Sequence, residues 1–172
     1  MLNYLKKIFS IFLIFNLTFV SSAQAATTFV DSFDVSTQDT TPRGLAFNND
    51  GTKMFVVGDT GNDINSYTLS TGFDLSTATF NDINGDGSGF DISGQEATPQ
   101  YIKFNNDGTK MFVSGNSGDD VNLYTLSTGF DLSTATFNDI NGDGSGFDVS
   151  DQDEATRAVS YTHLTLPTTP YV

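Results

Sequence analysis

The sequence contains no cysteine, no tryptophan and a single histidine in 172 residues. Without cysteine there is no disulfide framework, no thiolate zinc site and no cysteine nucleophile. Basic side chains are scarce as well: seven Lys and Arg stand against 21 Asp and Glu, a formal charge of −14. So acidic a chain repels a phosphate backbone, and nucleic acid is not an expected partner. Hydrophobic residues make up 37% of the chain, few for packed helices, yet Phe and Gly number 16 each. Short aromatic strands separated by glycine turns account for both, and the expected class is all-β.

The two ends differ from the rest. Lys6 and Lys7 precede an apolar stretch from Ile8 to Val20, followed by the small-x-small sequence Ala23-Gln24-Ala25. Residues 1–25 therefore read as a secretory signal, with a mature chain from Ala26 placed in the periplasm or outside the cell. The alternative, a retained anchor, is opposed by an apolar stretch shorter than the ~20 residues of a membrane span. At the other end, residues 159–172 (VSYTHLTLPTTPYV) replace the Asp, Gly and Phe vocabulary with Thr, Pro and Leu. This string resembles the translated read-through of a sequencing-library adapter, which implies that the natural chain continues beyond Ala158 and that the sequence is an N-terminal fragment. His163 lies in this tail, so the remainder offers no imidazole for Ser-His-Asp catalysis or for metal ligation.

Internal repetition is the strongest signal. FNNDGTKMFV runs from Phe47 to Val56 and again from Phe104 to Val113. YTLSTGFDLSTATFNDINGDGSGFD runs from Tyr67 to Asp91 and returns letter for letter from Tyr124 to Asp148. A partial copy, residues 26–41, aligns with the end of each unit but lacks the insert Asn84 to Gly89. Within the first unit, residues 42–98, Arg43 to Asn48 alternates, with Leu45 and Phe47 on one face. Asn49-Asp50-Gly51-Thr52 is a tight turn, and Lys53 to Gly58 is an apolar run expected to be buried on both faces. Ile64 to Ser70 gives a third strand, and Ala78 to Ser93 a fourth that the insert interrupts. Residues 99–158 repeat the pattern. Four antiparallel strands joined in order by short turns describe a propeller blade.

In the phrases PxGLAFNNDGTKMFVVG and YTLSTxFDLSTAT, the chain from Thr27 to Ala158 resembles bacterial β-propellers of the WD-repeat-like and lactonase-like kind. The resemblance implies a repeat architecture and does not fix an activity, because propellers host many functions. An open stack of β-units is the alternative. Two blades cannot close a ring of roughly four to eight, so an incomplete ring is expected, with Thr28 to Ser36 as a closing strand for a blade outside this sequence.

One constellation suits a cofactor. Asp82-Ile83-Asn84-Gly85-Asp86-Gly87-Ser88-Gly89-Phe90-Asp91 follows the DxNxDG pattern of calcium loops, with oxygen ligands at alternate positions and glycine at the sharp turn. The candidate Ca²⁺ ligands are Asp82, Asn84, Asp86, the Ser88 carbonyl and Asp91, and in the second copy Asp139, Asn141, Asp143, the Ser145 carbonyl and Asp148. Ser93 and Ser150 stand where an EF-hand has its bidentate Glu. The loop is similar to the calcium hairpins of integrin-type propellers, with one extra residue before the final Asp, which puts that fifth ligand in doubt. A solvated Asn/Asp/Gly turn is the competing reading.

The remaining candidates are weaker. Asn62-Asp63 and Gly118-Asp119-Asp120 read as solvated turn clusters. The Ser/Thr-rich LSTGFDLSTAT suggests glycan or ice contact, or turns satisfied by hydroxyls with Phe73 and Phe130 packed between blades. Arg43 and Arg157 begin the innermost strands, facing the channel mouth, as ligand contacts or as partners of a neighbouring carboxylate. The functional expectation is a secreted binding or scaffold module that meets a protein or glycan. The alternative is a calcium-dependent lactonase or esterase of propeller fold, for which Glu96 and Glu154, the only glutamates, are the relevant acids.

Overall fold

A computed structural model describes residues 29–151. The expected signal segment, Glu154, Arg157, His163 and the tail 159–172 lie outside the described residues. The chain forms two antiparallel β-sheets of the same design, with two short 3₁₀ turns as the only helical elements among the described residues. The first sheet contains β1 (Pro42–Phe47), β2 (Lys53–Gly58), β3 (Asp63–Leu69), β4 (Ala78–Phe80) and β5 (Phe90–Asp91). The second contains β6 (Pro99–Phe104), β7 (Lys110–Gly115), β8 (Asp120–Leu126), β9 (Ala135–Phe137) and β10 (Phe147–Asp148).

Each sheet is a meander whose fourth strand is split in two. β4 pairs with one end of β3 (Tyr67 opposite Phe80), and β5 with the other (Asp63 opposite Asp91). The loop between them carries the Asp/Asn/Gly insert, so the sheet spits it out at its outer edge without losing register. Asp50 in the β1–β2 turn accepts from the Thr52 N–H and hydroxyl, at 3.0 and 2.6 Å, while Gly51 adopts φ 72°. Local side-chain bonds of this kind fix the turn, and hence the register, before any packing is felt.

The two sheets stack front to rear. The front of the second sheet (Ile102, Phe104, Met111, Val113) meets the rear of the first (Ala46, Phe55, Val57, Ile64) in one apolar cluster. Phe55, Val57, Ile64 and Ile92 are fully buried there, and each such side chain contributes about 1.5–3 kcal/mol. Phe55 lies 4.5 Å from Phe104 and 6.4 Å from Phe130, centroid to centroid. Two polar bonds pin the stack: Lys53 Nζ donates to the Phe130 carbonyl at 2.8 Å, and Asn49 Nδ2 to that of Asn106 at 2.5 Å. Backbones approach where β6 meets β1 and β2. At Gly44 a Cβ would lie 2.6 Å from the Gln100 carbonyl oxygen, so only glycine lets the two first strands run this close.

One expectation changes. Lys53 to Gly58 is buried on both faces, but the second copy is not: Phe112 and Lys110 on β7 are exposed, because among the described residues no third sheet covers the rear of the second. Leu45 is 58% exposed on the front of the first sheet, whereas its counterpart Ile102 is 8% exposed. Phe29 to Ser36, expected with Thr28 to pair with a blade outside this sequence, makes no ladder among the described residues. The segment docks by its side chains instead: Phe33 sits edge-on to Tyr67 at 5.3 Å, and Val35 joins the Met54, Val56, Tyr67 and Leu69 cluster. Phe90 and Ile92 make the same approach to the second sheet, Phe90 meeting Tyr124 at 5.7 Å.

Candidate functional site

The duplicated Asn81–Gly89 and Asn138–Gly146 loops are nearly identical in geometry. Asp82 opens the first by accepting from the backbone N–H groups of Gly85 (2.6 Å) and Gly87 (3.1 Å), one on each carboxylate oxygen. Asp139 repeats this with Gly142 at 2.6 Å and Gly144 at 3.1 Å, and adds Asp143 N–H at 3.1 Å. Gly85 and Gly87 hold φ of 76° and 83°, the left-handed region that lets these N–H groups turn inward. Asp86 Oδ1 accepts from the Ser88 N–H and hydroxyl, and Asp143 Oδ1 from those of Ser145. These bonds, the hydroxyl's first, hold both carboxyls below the usual carboxylate value. Asn84 Nδ2 closes the loop onto the Gly89 carbonyl at 2.7 Å, and Asn141 Nδ2 onto that of Gly146 at 2.9 Å.

Asp82, Asn84, Asp86 and Ser88 are thus gathered in one exposed loop, and so are Asp139, Asn141, Asp143 and Ser145. Asp91 and Asp148 are not brought to them. Each sits in the short strand after the loop, its Oδ1 accepting from the N–H of Ser93 or Ser150 at 2.8 Å; the serine hydroxyl first, and this N–H second, lower its pKa. Among the described residues no three Asp, Glu, His or Cys groups converge where they could hold a metal ion. The donor set still suits a hard cation: each carboxylate has about four lone-pair positions, of which the backbone bonds use some, and the Asn84 oxygen is left over.

Each loop is anchored by a residue the sequence reading placed in solvent. Asp63 is 6% exposed and Asp120 3%. Asp63 Oδ2 accepts from Gly89 N–H at 2.8 Å and Oδ1 from Asn65 Nδ2 at 2.8 Å; Asp120 makes the same pair with Gly146 and Asn122. Burial pushes Asp63 above the usual carboxylate value, against the pull of these bonds. The signal that reveals them is alternation: Asp63-Ile64-Asn65 and Asp120-Val121-Asn122 are in-strand triplets, not turns.

The other candidates resolve simply. Arg43 donates to Asp59 Oδ2 through Nε (3.0 Å) and Nη2 (2.7 Å), the carboxylate pairing foreseen for it. Glu96 is 1% exposed and caps the approach to the second sheet, Oε1 accepting from the N–H groups of Thr98 (2.8 Å) and Ser117 (3.0 Å). In LSTGFDLSTAT, Asp74 caps a 3₁₀ turn by accepting from Ser76, and Thr77 bonds the Asp74 carbonyl. Phe130 packs between the sheets, while Phe73 is 59% exposed. An open apolar trough of about 510 Å³ runs across the first sheet's front, lined by Phe33, Leu45, Phe47, Met54, Val56 and Phe73 among others. No described helix is long and apolar enough to cross a membrane. The chain matches no protein-family model, no curated protein and no solved structure.

Proposed function

We propose that this chain is a secreted, acidic binding or scaffold module built of propeller-type blades, whose outer Asp/Asn/Gly loops are braced by Ca²⁺ and present a surface to a partner protein or glycan. The observation that carries the reading is the duplicated loop, in which backbone N–H groups, a serine and a buried aspartate hold Asp82, Asn84 and Asp86 in the same arrangement as Asp139, Asn141 and Asp143. The blade reading is supported by the four-stranded meanders, by their front-to-rear stacking, and by the close approach of the two first strands at Gly44. Secretion is supported by the character of residues 1–25.

Ca²⁺ would be held by Asp82, Asn84, Asp86 and the Ser88 carbonyl, with water completing the six to eight oxygens this ion takes. Asp91 takes no part. The ion supplies local charge neutralisation and rigidity; the protein supplies a loop already shaped by Asp63. Binding to the folded loop alone stabilises by mass action, about 2.7 kcal/mol at a hundredfold excess over Kd. Thermal unfolding tests this. Calcium raises the melting temperature on the order of 5 °C or more, and the Asp86→Ala, Asp143→Ala double variant abolishes the rise. Equal melting of the parent with calcium and with chelator refutes the calcium reading.

A further inference from the structure

Between the two stacked sheets lies a polar cleft of about 240 Å³, lined by none of the candidate calcium ligands. One wall is the rear of the first sheet, where Lys53 and Phe55 on β2 stand opposite Thr68 and Ser66 on β3. The other is the start of the second sheet's 3₁₀ turn, with Phe130, Asp131 and Leu132. Phe55 and Leu132 belong to the apolar cluster that joins the sheets, and Phe130 packs against Phe55 and Phe104 while its carbonyl accepts from Lys53 Nζ at 2.8 Å. The walls are therefore fixed by the stack itself, before anything enters the cleft.

The polar groups facing this cleft are only partly used. Thr68 Oγ1 donates to Asn81 Oδ1 at 2.9 Å, and Asn81 Nδ2 donates to Ser66 Oγ at 3.4 Å. Ser66 is 7% exposed, and its hydroxyl proton has no acceptor among the described residues. Leaving such a proton unpaired in a sheet interface is unfavourable. The second unit has Leu123 at the corresponding place, between Asn122 and Tyr124, which repeat Asn65 and Tyr67. Lys53 Nζ uses one proton on the Phe130 carbonyl, and Asp131 accepts from Ser133 through Oδ1, which leaves the other ammonium protons and Oδ2 open.

Lys53 and Asp131 carry opposite charges and make no ion pair with each other. An ion of either sign is drawn by one and repelled by the other, whereas a neutral molecule whose hydroxyls both donate and accept satisfies both. Phe55, Phe130 and Leu132 supply an apolar surface for its C–H groups. The volume is below the roughly 300–1,000 Å³ of sites for drug-sized ligands and matches a single sugar ring. We infer that this cleft binds one neutral hexose unit of a glycan, its hydroxyls taking the Ser66 proton, the Lys53 ammonium and Asp131 Oδ2. The inference rests on the reading of the chain as a glycan-binding module, and it does not depend on calcium.

Titration of the full chain with glucose, galactose and mannose, followed by amide NMR with chelator present, is the test. At least one of these sugars shifts Ser66, Thr68 and Asn81 saturably, with a Kd on the order of 1 mM. Ser66→Leu, which installs the side chain the second sheet already carries, weakens binding at least tenfold, and so does Thr68→Val, which decides the matter if circular dichroism shows Ser66→Leu unfolded. Sodium acetate at the same concentrations gives no saturable shift. Absence of saturable shifts with all three sugars overturns the inference, as does binding unchanged in the folded variants or an equal response to acetate. Calcium-dependent melting without hexose binding defeats this inference alone, and hexose binding without calcium-dependent melting defeats the calcium reading alone.

Discussion

At Asp63 the carboxylate is both buried and required, since it satisfies the Gly89 N–H and the Asn65 amide. Asp63→Ala leaves both donors unpaired in a dry place and is expected to cost about 3 kcal/mol, read from urea unfolding. Asp74→Ala, which removes an exposed cap, is expected to cost about 1 kcal/mol. Titration separates these groups by sign. Burial raises Asp63, so the folded state holds its proton more tightly than the unfolded chain; this residue alone makes the protein less stable as pH rises through its folded-state value. Asp86, Asp91, Asp143 and Asp148 are lowered by serine bonds, so their contribution is present above the unfolded value and is lost as pH falls through the lowered one. Carboxyl-carbon NMR is expected to place the Asp63 midpoint above the usual carboxylate value and the other four below it. Glycine gives a further contrast. A Cβ at Gly108 would strike the Phe130 ring and one at Gly51 the Phe73 ring. Phe130 is held by Phe55 and Phe104, whereas Phe73 can swing toward solvent, so Gly108→Ala is expected to cost at least 1 kcal/mol more than Gly51→Ala.

Each sheet has a well-supported middle and a thin edge. β2 and β3 have ladder partners on both sides, while the outer strand is divided into β4 and β5 of three and two residues. Hydrogen exchange is expected to be slowest in β2 and β3 and fastest in β4 and β5, by local opening; protection in β5 equal to that in β2 would contradict the split edge. The strands were legible because alternation and repetition act locally: the Asp-Gly turn and the apolar run of Lys53 to Gly58 stand where the sequence places them. Burial was not, because it depends on what lies against each face. Phe55 and Phe112 have the same neighbours in sequence, Met and Val, yet Phe55 is fully buried and Phe112 is exposed. Asp63 and Asp120 were misplaced for a related reason, since acidic residues beside glycine suggest a turn until the following strand shows them to be part of its inward row. The loop itself was legible as a donor sequence, and the bond from Ser93 N–H to Asp91 is the same local Asp-x-Ser pattern that Asp86 makes with Ser88.

At the scale of the whole molecule, the two like sheets among the described residues each carry a loop of the same donors at the outer edge. Acidic charge throughout favours cation uptake at such loops, and salt is expected to weaken calcium affinity. The central claim is that the duplicated loops hold calcium as a structural ion. Calorimetric titration of calcium into the chelator-treated chain tests it most directly. The account predicts saturable binding at two sites per chain, one of them lost in Asp86→Ala and both in the Asp86→Ala, Asp143→Ala variant. Absence of saturable binding in the parent, or binding unchanged in the double variant, would contradict it.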